Sequence, residues 1–266
     1  MTIFILLVYL CVIAFGYWLK YLNLSHLKLH GHEVPQEFEG AVDPALLAKM
    51  SDYTVENSRF GLIESFIDNA LLLVFLFGGL LAFYDRWVVS LTGSFLWAGV
   101  LFALLLSYTQ TVLGLPFSLY RNFRIENKYG FNTMTIKLWA EDLLKGLAVA
   151  TVIGTVLVLG ALALVSWSPS LWWFWVWLFF LLFSVFMMYI SPYVIEPLFF
   201  KFEPLKVEGL EERIRSVMDK AGLKVSRVFQ VDASRRSRHS NAYFTGIGKV
   251  KRIVLFDTLL QHCLLY

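Results

Sequence analysis

Five long, predominantly apolar runs, at residues 3–19, 66–84, 88–113, 143–165 and 171–190, constrain this chain more than any other feature. A bilayer core about 30 Å thick is crossed by roughly 20 residues of α-helix, and only helices or closed barrels satisfy their backbones in lipid. Each run is therefore expected to be a transmembrane helix. The last two, separated only by Ser166-Trp167-Ser168-Pro169-Ser170, are expected to form a helical hairpin. Composition agrees, with 58% of the 266 residues hydrophobic and 16% charged, which excludes an ordinary soluble domain. The first run has no basic stretch before it. Tyr17-Trp18-Leu19-Lys20 follows it where a cleavage site would need small residues, so it reads as a retained span.

Lys and Arg in the loops set the expected orientation. Lys20, Lys28, Lys49 and Arg59 follow the first span, Arg121, Arg124, Lys128, Lys137 and Lys145 follow the third, and 13 more follow the fifth. The opposite loops hold only Arg86. The N-terminus is thus expected outside and the tail from Ser191 in the cytoplasm. Trp172, Trp173, Trp175 and Trp177 at the outer end of the fifth span read as an interfacial aromatic belt. Asp68 and Asn69, about a turn inside the second span, read as residues at the membrane boundary or facing a wet cavity. No paired halves with glycine- or proline-broken helices suggest a transporter.

Beyond the fifth span, residues 195–205 form a proline-punctuated connector. Leu210, Ile214, Val217, Met218 and Ala221 recur at helical spacing before Gly222, which predicts one amphipathic helix. Three strand-like runs follow, at 227–231, 241–245 and 252–256, expected as a meander with a hairpin between the last two. Asp257 reads as the N-cap of a short helix. One helix and three strands make a poor independent core, so the soluble unit is expected to be incomplete. The fold class is mainly α: a multi-pass membrane protein with about five transmembrane helices (1–190) and a partial cytoplasmic α+β domain (191–266).

Few residues carry obvious chemistry. Cys11 and Cys263 offer neither a metal spacing nor a disulfide framework. His26 and His30 have the i, i+4 spacing by which zinc peptidases present two imidazoles on one helix face. Leu27 stands where that motif needs its glutamate, and both histidines read as part of a solvated juxtamembrane loop. Arg235, Arg236 and Arg238 on the cytoplasmic side suit anionic lipid better than nucleic acid, which is not an expected partner.

Four stretches together resemble the type-I CAAX prenyl proteases, integral-membrane zinc metallopeptidases. They are "SRFG" at 58–61, "YRNFRIENKYGFNTMT" at 120–135, "PLFFKFEPL" at 197–205 and "RRSRHSNAYFTGIGKVKRIVLFDTLL" at 235–260. The resemblance implies membrane helices enclosing a chamber, a zinc-peptidase domain on the cytoplasmic side, and peptide substrates that are prenylated or otherwise membrane-associated. It also implies that Asn241, Ala242 and Tyr243, with His239 and Ser240 as weaker neighbours, lie on an edge strand that receives an extended peptide. An unpaired strand edge suits that use, because it offers backbone donors and acceptors in register with a second backbone. The family's zinc is held by an H-E-x-x-H helix and a later glutamate, both expected downstream of "LFDTLL"; residues 1–266 contain no H-E-x-x-H. The chain is therefore expected to be the N-terminal portion of a zinc metalloendopeptidase, without catalytic zinc or activity as given. The alternative expectation is a non-catalytic truncated homologue that binds peptides or a partner protease. Short loops favour a bacterial inner membrane over the endoplasmic reticulum.

Overall fold

The computed structural model describes residues 2–40, 42–223, 227–245 and 252–263. Five of its helices are long and apolar enough to cross a membrane. Helix α1 (Thr2–His30) has 29 residues, a length of roughly 44 Å, and so outruns the lipid core. His26 and His30 consequently lie in the last turns of a helix and not in a loop. No glycine or proline stands between Lys20 and His30 to end the helix sooner. Helix α2 (Pro44–Phe77) starts cleanly: the Asp43 carboxylate accepts the Ala45 N–H at 2.9 Å, and Pro44 occupies the first turn.

The second apolar run is not one helix. Gly79 takes a φ of 83°, a left-handed conformation that ends α2, and α3 (Leu80–Ser90) begins anew. Helix α4 (Phe95–Tyr120) runs on into a π-helical segment, Arg121–Glu126, and the short α5 (Asn127–Tyr129). Helix α6 (Ile136–Trp167) is capped by Thr135, whose hydroxyl accepts the Leu138 N–H at 3.2 Å. The expected hairpin partner is α7 (Trp172–Val194), prolonged by α8 (Glu196–Phe199).

The chain divides into two compact units, one of residues up to Phe83 with Pro116–Tyr129, the other of Tyr84–Leu115 with the residues from Gly130 onward. In the first, Asn69 joins α2 to α1: Tyr9 donates to its Oδ1 at 2.8 Å, and its Nδ2 donates to Tyr17 at 3.1 Å. Asp68 beside it is exposed. The π-helical segment is fastened to α2 by Arg121–Glu64 at 2.5 Å and by Tyr53 donating to Glu126 at 2.6 Å. Just beyond it, Lys128 and Tyr129 converge on Glu56 at 2.5 and 2.8 Å. A π-turn is wider than an α-turn and shifts the facing side chains, as these pairings use.

In the second unit, Tyr84 donates to the Phe102 carbonyl at 2.7 Å and Tyr108 bonds Thr151 at 2.6 Å, linking α3, α4 and α6. Gly160 lets α7 come close: a Cβ there would lie 2.6 Å from the Phe179 ring. After α8 come β1 (Phe202–Pro204), α9 (Leu210–Lys220), β2 (Arg227–Val231), β3 (Ala242–Thr245), β4 (Arg252–Phe256) and α10 (Asp257–Cys263). The sheet order is β1-β2-β4-β3, with β2 and β4 parallel and the other pairs antiparallel.

Two expectations are corrected here. The connector contributes a fourth strand, β1, and the strands do not form a meander. After β2 the chain passes across the end of β4 and returns as β3 on its far side, because residues 232–241 are tied down on two sides. Thr133 bonds Ser234 and Arg236, and the Arg238 N–H donates to the Phe131 carbonyl. Asp257, meanwhile, accepts from the Ser234 N–H and hydroxyl while starting α10 through Thr258. One face of the sheet packs Val228, Ile253 and Leu255 with Leu260 against Leu210, Ile214 and Met218 of α9. Val217, read from its spacing as part of that stripe, is 63% exposed. The other face packs Val231, Val254 and Ala233 with Tyr243, Phe256, Phe200 and Phe202.

Candidate functional site

Strand β3 sits at the margin of the sheet, and among the described residues it pairs with β4 alone. Its register is Ala242 opposite Leu255, Tyr243 opposite Val254, Phe244 opposite Ile253 and Thr245 opposite Arg252. The Phe256 N–H donates to the Asn241 carbonyl at 3.0 Å, which fixes the phase of the ladder. In an antiparallel pair, hydrogen-bonded and non-bonded positions alternate. Asn241, Tyr243 and Thr245 therefore turn their backbone groups toward β4, and Ala242 and Phe244 turn theirs outward.

The five residues singled out in the sequence separate into two groups. Ser240, Asn241 and Ala242 are exposed at the margin. The Asn241 side chain folds onto its own strand, its Oδ1 accepting the outward Ala242 N–H at 2.8 Å. His239 and Tyr243 are engaged. The His239 ring stacks on Phe131 with centroids 4.3 Å apart, and its carbonyl accepts from Thr258 at 2.9 Å. Tyr243 turns into the core and donates to Glu196 at 3.0 Å. Burial, then the Glu196 carboxylate, pushes the phenol well above its ordinary range, with Arg252 pulling it part of the way back.

Residues unmarked in the sequence hold this edge in place. Glu196 ties Tyr243 to the membrane-proximal α8 and also meets Arg252 at 3.4 Å. Arg236 makes a two-pronged ion pair with Asp142 of α6 at 2.7 and 2.9 Å, and the side chains are only 12% and 18% exposed. Such a fork suits a partly buried pair, so Arg236 is a structural tie and not a lipid-facing charge. A carboxylate at the end of an apolar span, as in Ile195-Glu196-Pro197, was the signal that could have marked Glu196.

Among the described residues, no three His, Cys, Asp or Glu side chains converge into a metal-holding group. The His26 and His30 rings lie 4.8 Å apart, and His30 bonds Glu33 at 3.1 Å, without a third donor. The described donor set does not fit a catalytic zinc, which needs three protein ligands.

The family description "CAAX prenyl protease N-terminal, five membrane helices" matches residues 23–201, and "Peptidase family M48" matches 204–264. The chain belongs to the CAAX prenyl protease family. CAAX prenyl protease 1 of Saccharomyces cerevisiae is 34% identical over 255 residues, covering 91% of this chain and 55% of the yeast protein. The uncharacterized metalloprotease YhfN of Bacillus subtilis is 30% identical over 263 residues, 96% of this chain and 60% of that protein. The crystal structure of S. mikatae Ste24p superposes with a TM-score of 0.87 at 32% identity, covering 95% of this chain and 60% of the other. This CAAX-protease-family chain thus spans a little over half the length of the curated relatives it matches. The second match starts at Pro204, the last residue of β1, and runs through α10, so the sheet from β2 onward belongs to the peptidase part of the family.

Proposed function

We propose that this chain supplies the membrane helices and the substrate-receiving strand of a zinc metalloendopeptidase that processes prenylated or other membrane-associated peptides. The observation that carries the reading is the outer margin of β3, with no partner strand among the described residues and the backbone groups of Ala242 and Phe244 turned outward. A peptide laid there extends the sheet, exchanging hydrogen bonds with Ala242 and Phe244. The Asn241 amide holds the Ala242 N–H until a peptide carbonyl replaces it. Tyr243 anchors the strand to Glu196. Among the described residues, no set of donors for a catalytic zinc converges. The N-terminus faces outward and the sheet the cytoplasm, as the Lys and Arg distribution favours, in a bacterial inner membrane.

The test uses the full chain in nanodiscs and a fluorescein-labelled eight-residue peptide carrying S-farnesyl cysteine, read by anisotropy. Methylating the peptide's backbone nitrogens one at a time is expected to weaken binding about fivefold at alternate positions only, the worth of one hydrogen bond. Ala242→Pro, which deletes an outward N–H without touching the ladder to β4, is expected to weaken it similarly. Uniform sensitivity along the peptide, or unchanged affinity in Ala242→Pro, refutes pairing along β3.

A further inference from the structure

Where α7 ends, a cavity of about 450 Å³ opens between the last turn of that helix, the connector and the sheet. Its walls are Tyr193, Phe200 and Phe202, and its charged lining is Lys201, Glu203 and Arg252. Arg252 is the unusual member. It is 7% exposed, and its guanidinium carbon lies 5.1 Å from the ring centres of both Tyr193 and Phe202 and 5.7 Å from that of Phe229. One terminal nitrogen donates to the Pro192 carbonyl and meets Glu196 at 3.4 Å. The buried Nε has no hydrogen-bond partner.

A guanidinium does not escape this by losing its proton, and an unpaired donor on a buried charge is costly. The neighbouring carboxylates are already engaged: Glu196 accepts from Tyr243, and Glu203 pairs with Lys206 at 2.5 Å. What the site lacks is an acceptor with several oxygens, and it offers that acceptor a second cation in Lys201. Its level fits the same chemistry. Tyr189 and Tyr193, with rings 5.9 Å apart, are both about half exposed on the last turns of an apolar helix, where interfacial aromatics mark the headgroup zone. We propose that this cavity binds a phosphate group between Arg252 and Lys201, presented by an anionic phospholipid whose acyl chains lie along the end of α7. The proposal does not rest on the peptide edge, although Arg252 meets the same Glu196 that anchors Tyr243.

Native mass spectrometry of the full chain tests it, with dioleoyl phosphatidylglycerol compared against dioleoylglycerol, which has the same chains and no phosphate. The wild type is expected to retain one phosphatidylglycerol at least about tenfold more tightly than the glycerol, and Lys201→Glu to lose about that factor, because each interfacial charge contributes severalfold. Lys201 is exposed, so this variant keeps the fold, checked by far-ultraviolet circular dichroism. Arg252→Gln is the second variant, with the same expected loss. Retention that persists in millimolar inorganic phosphate assigns the site to lipid. Displacement by inorganic phosphate supports a phosphate site but overturns the lipid as its source. Equal retention of the two lipids by the wild type, or undiminished retention by Lys201→Glu, overturns the site itself.

Discussion

The sheet has two outer margins, and they are built to opposite ends. The β1 margin is three residues long, ends in Pro204, which has no N–H to offer, and carries Glu203 in an ion pair with Lys206. Shortness, proline and charge are the usual means of keeping a strand from pairing with a stranger. The β3 margin, four residues long, carries neither proline nor charge. Its outward positions are Ala242, small enough to admit a second backbone, and Phe244, apolar and 44% exposed. Its shield among the described residues is the Asn241 amide, a single rotatable side chain. Among the described residues, one edge of the sheet is blunted and the other is open.

The largest expected effect comes from breaking what carries the chain to that open edge. Arg236→Ala leaves Asp142 largely buried and unpaired, and should cost about 3 kcal/mol of stability. Denaturant titration in detergent measures the loss. Hydrogen exchange should show the amides of Tyr243 and Thr245, which face β4, losing protection while those of β1 and β2 keep theirs. Pairing Arg236→Met with Asp142→Leu should recover most of the stability, since an apolar pair replaces the ion pair without stranding a charge. Equal loss of protection at both margins would show that residues 232–241 do not hold β3 in particular.

How much of this was legible in the sequence differs by physical range. The five spans were, because hydrophobic length is a one-dimensional signal. Their ends were not: nothing apolar distinguishes Gly78-Gly79 from the rest of its run, yet Gly79 breaks it. Strands β2 and β4 stood out as β-branched and aromatic runs, with the bounds later found. Their parallel pairing did not, because it depends on Thr133 reaching Ser234 and on Asp257 gripping the same turn, contacts that no local pattern encodes. At the candidate edge, the motif marked Asn241, Ala242 and Tyr243, but the inward turn of Tyr243 depends on a glutamate 47 residues earlier. Arg252 opens the last of the three strand-like runs, and its burial in the aromatic core was unforeseen.

That tyrosine gives the next effect in size. Tyr243→Phe removes one hydrogen bond to Glu196 and should cost about 1 kcal/mol at neutral pH. Its sharper signature is in pH. Folding raises the phenol's pKa, so the folded chain keeps a proton that the unfolded chain releases above about pH 10. Stability from this group is complete below that pH and declines as pH rises further, by at most about 1.4 kcal/mol per pH unit. Urea midpoints at pH 8 and pH 11 should fall further for wild type than for Tyr243→Phe. Parallel declines would mean that the phenol is not held by Glu196, and the open edge would lose its tether to the membrane.

The smallest effect should come from unblunting the closed edge. Glu203→Val with Pro204→Val restores a backbone donor to β1, removes a charge and leaves the β3 edge untouched. A three-residue strand adds only a few hydrogen bonds of about 1 kcal/mol each, and association must first overcome lost translational and rotational freedom. Light scattering after size exclusion should therefore show a modest rise in dimer, visible only at high protein concentration. If the wild type already dimerises through β3 to the same extent, that margin is merely sticky and Asn241 is an inadequate guard. If the double variant stays monomeric while the β3 edge captures peptide, length matters more than proline and charge in closing β1. Because the variant differs from wild type only at the β1 margin, these outcomes separate an edge that is open by neglect from one kept open for a partner.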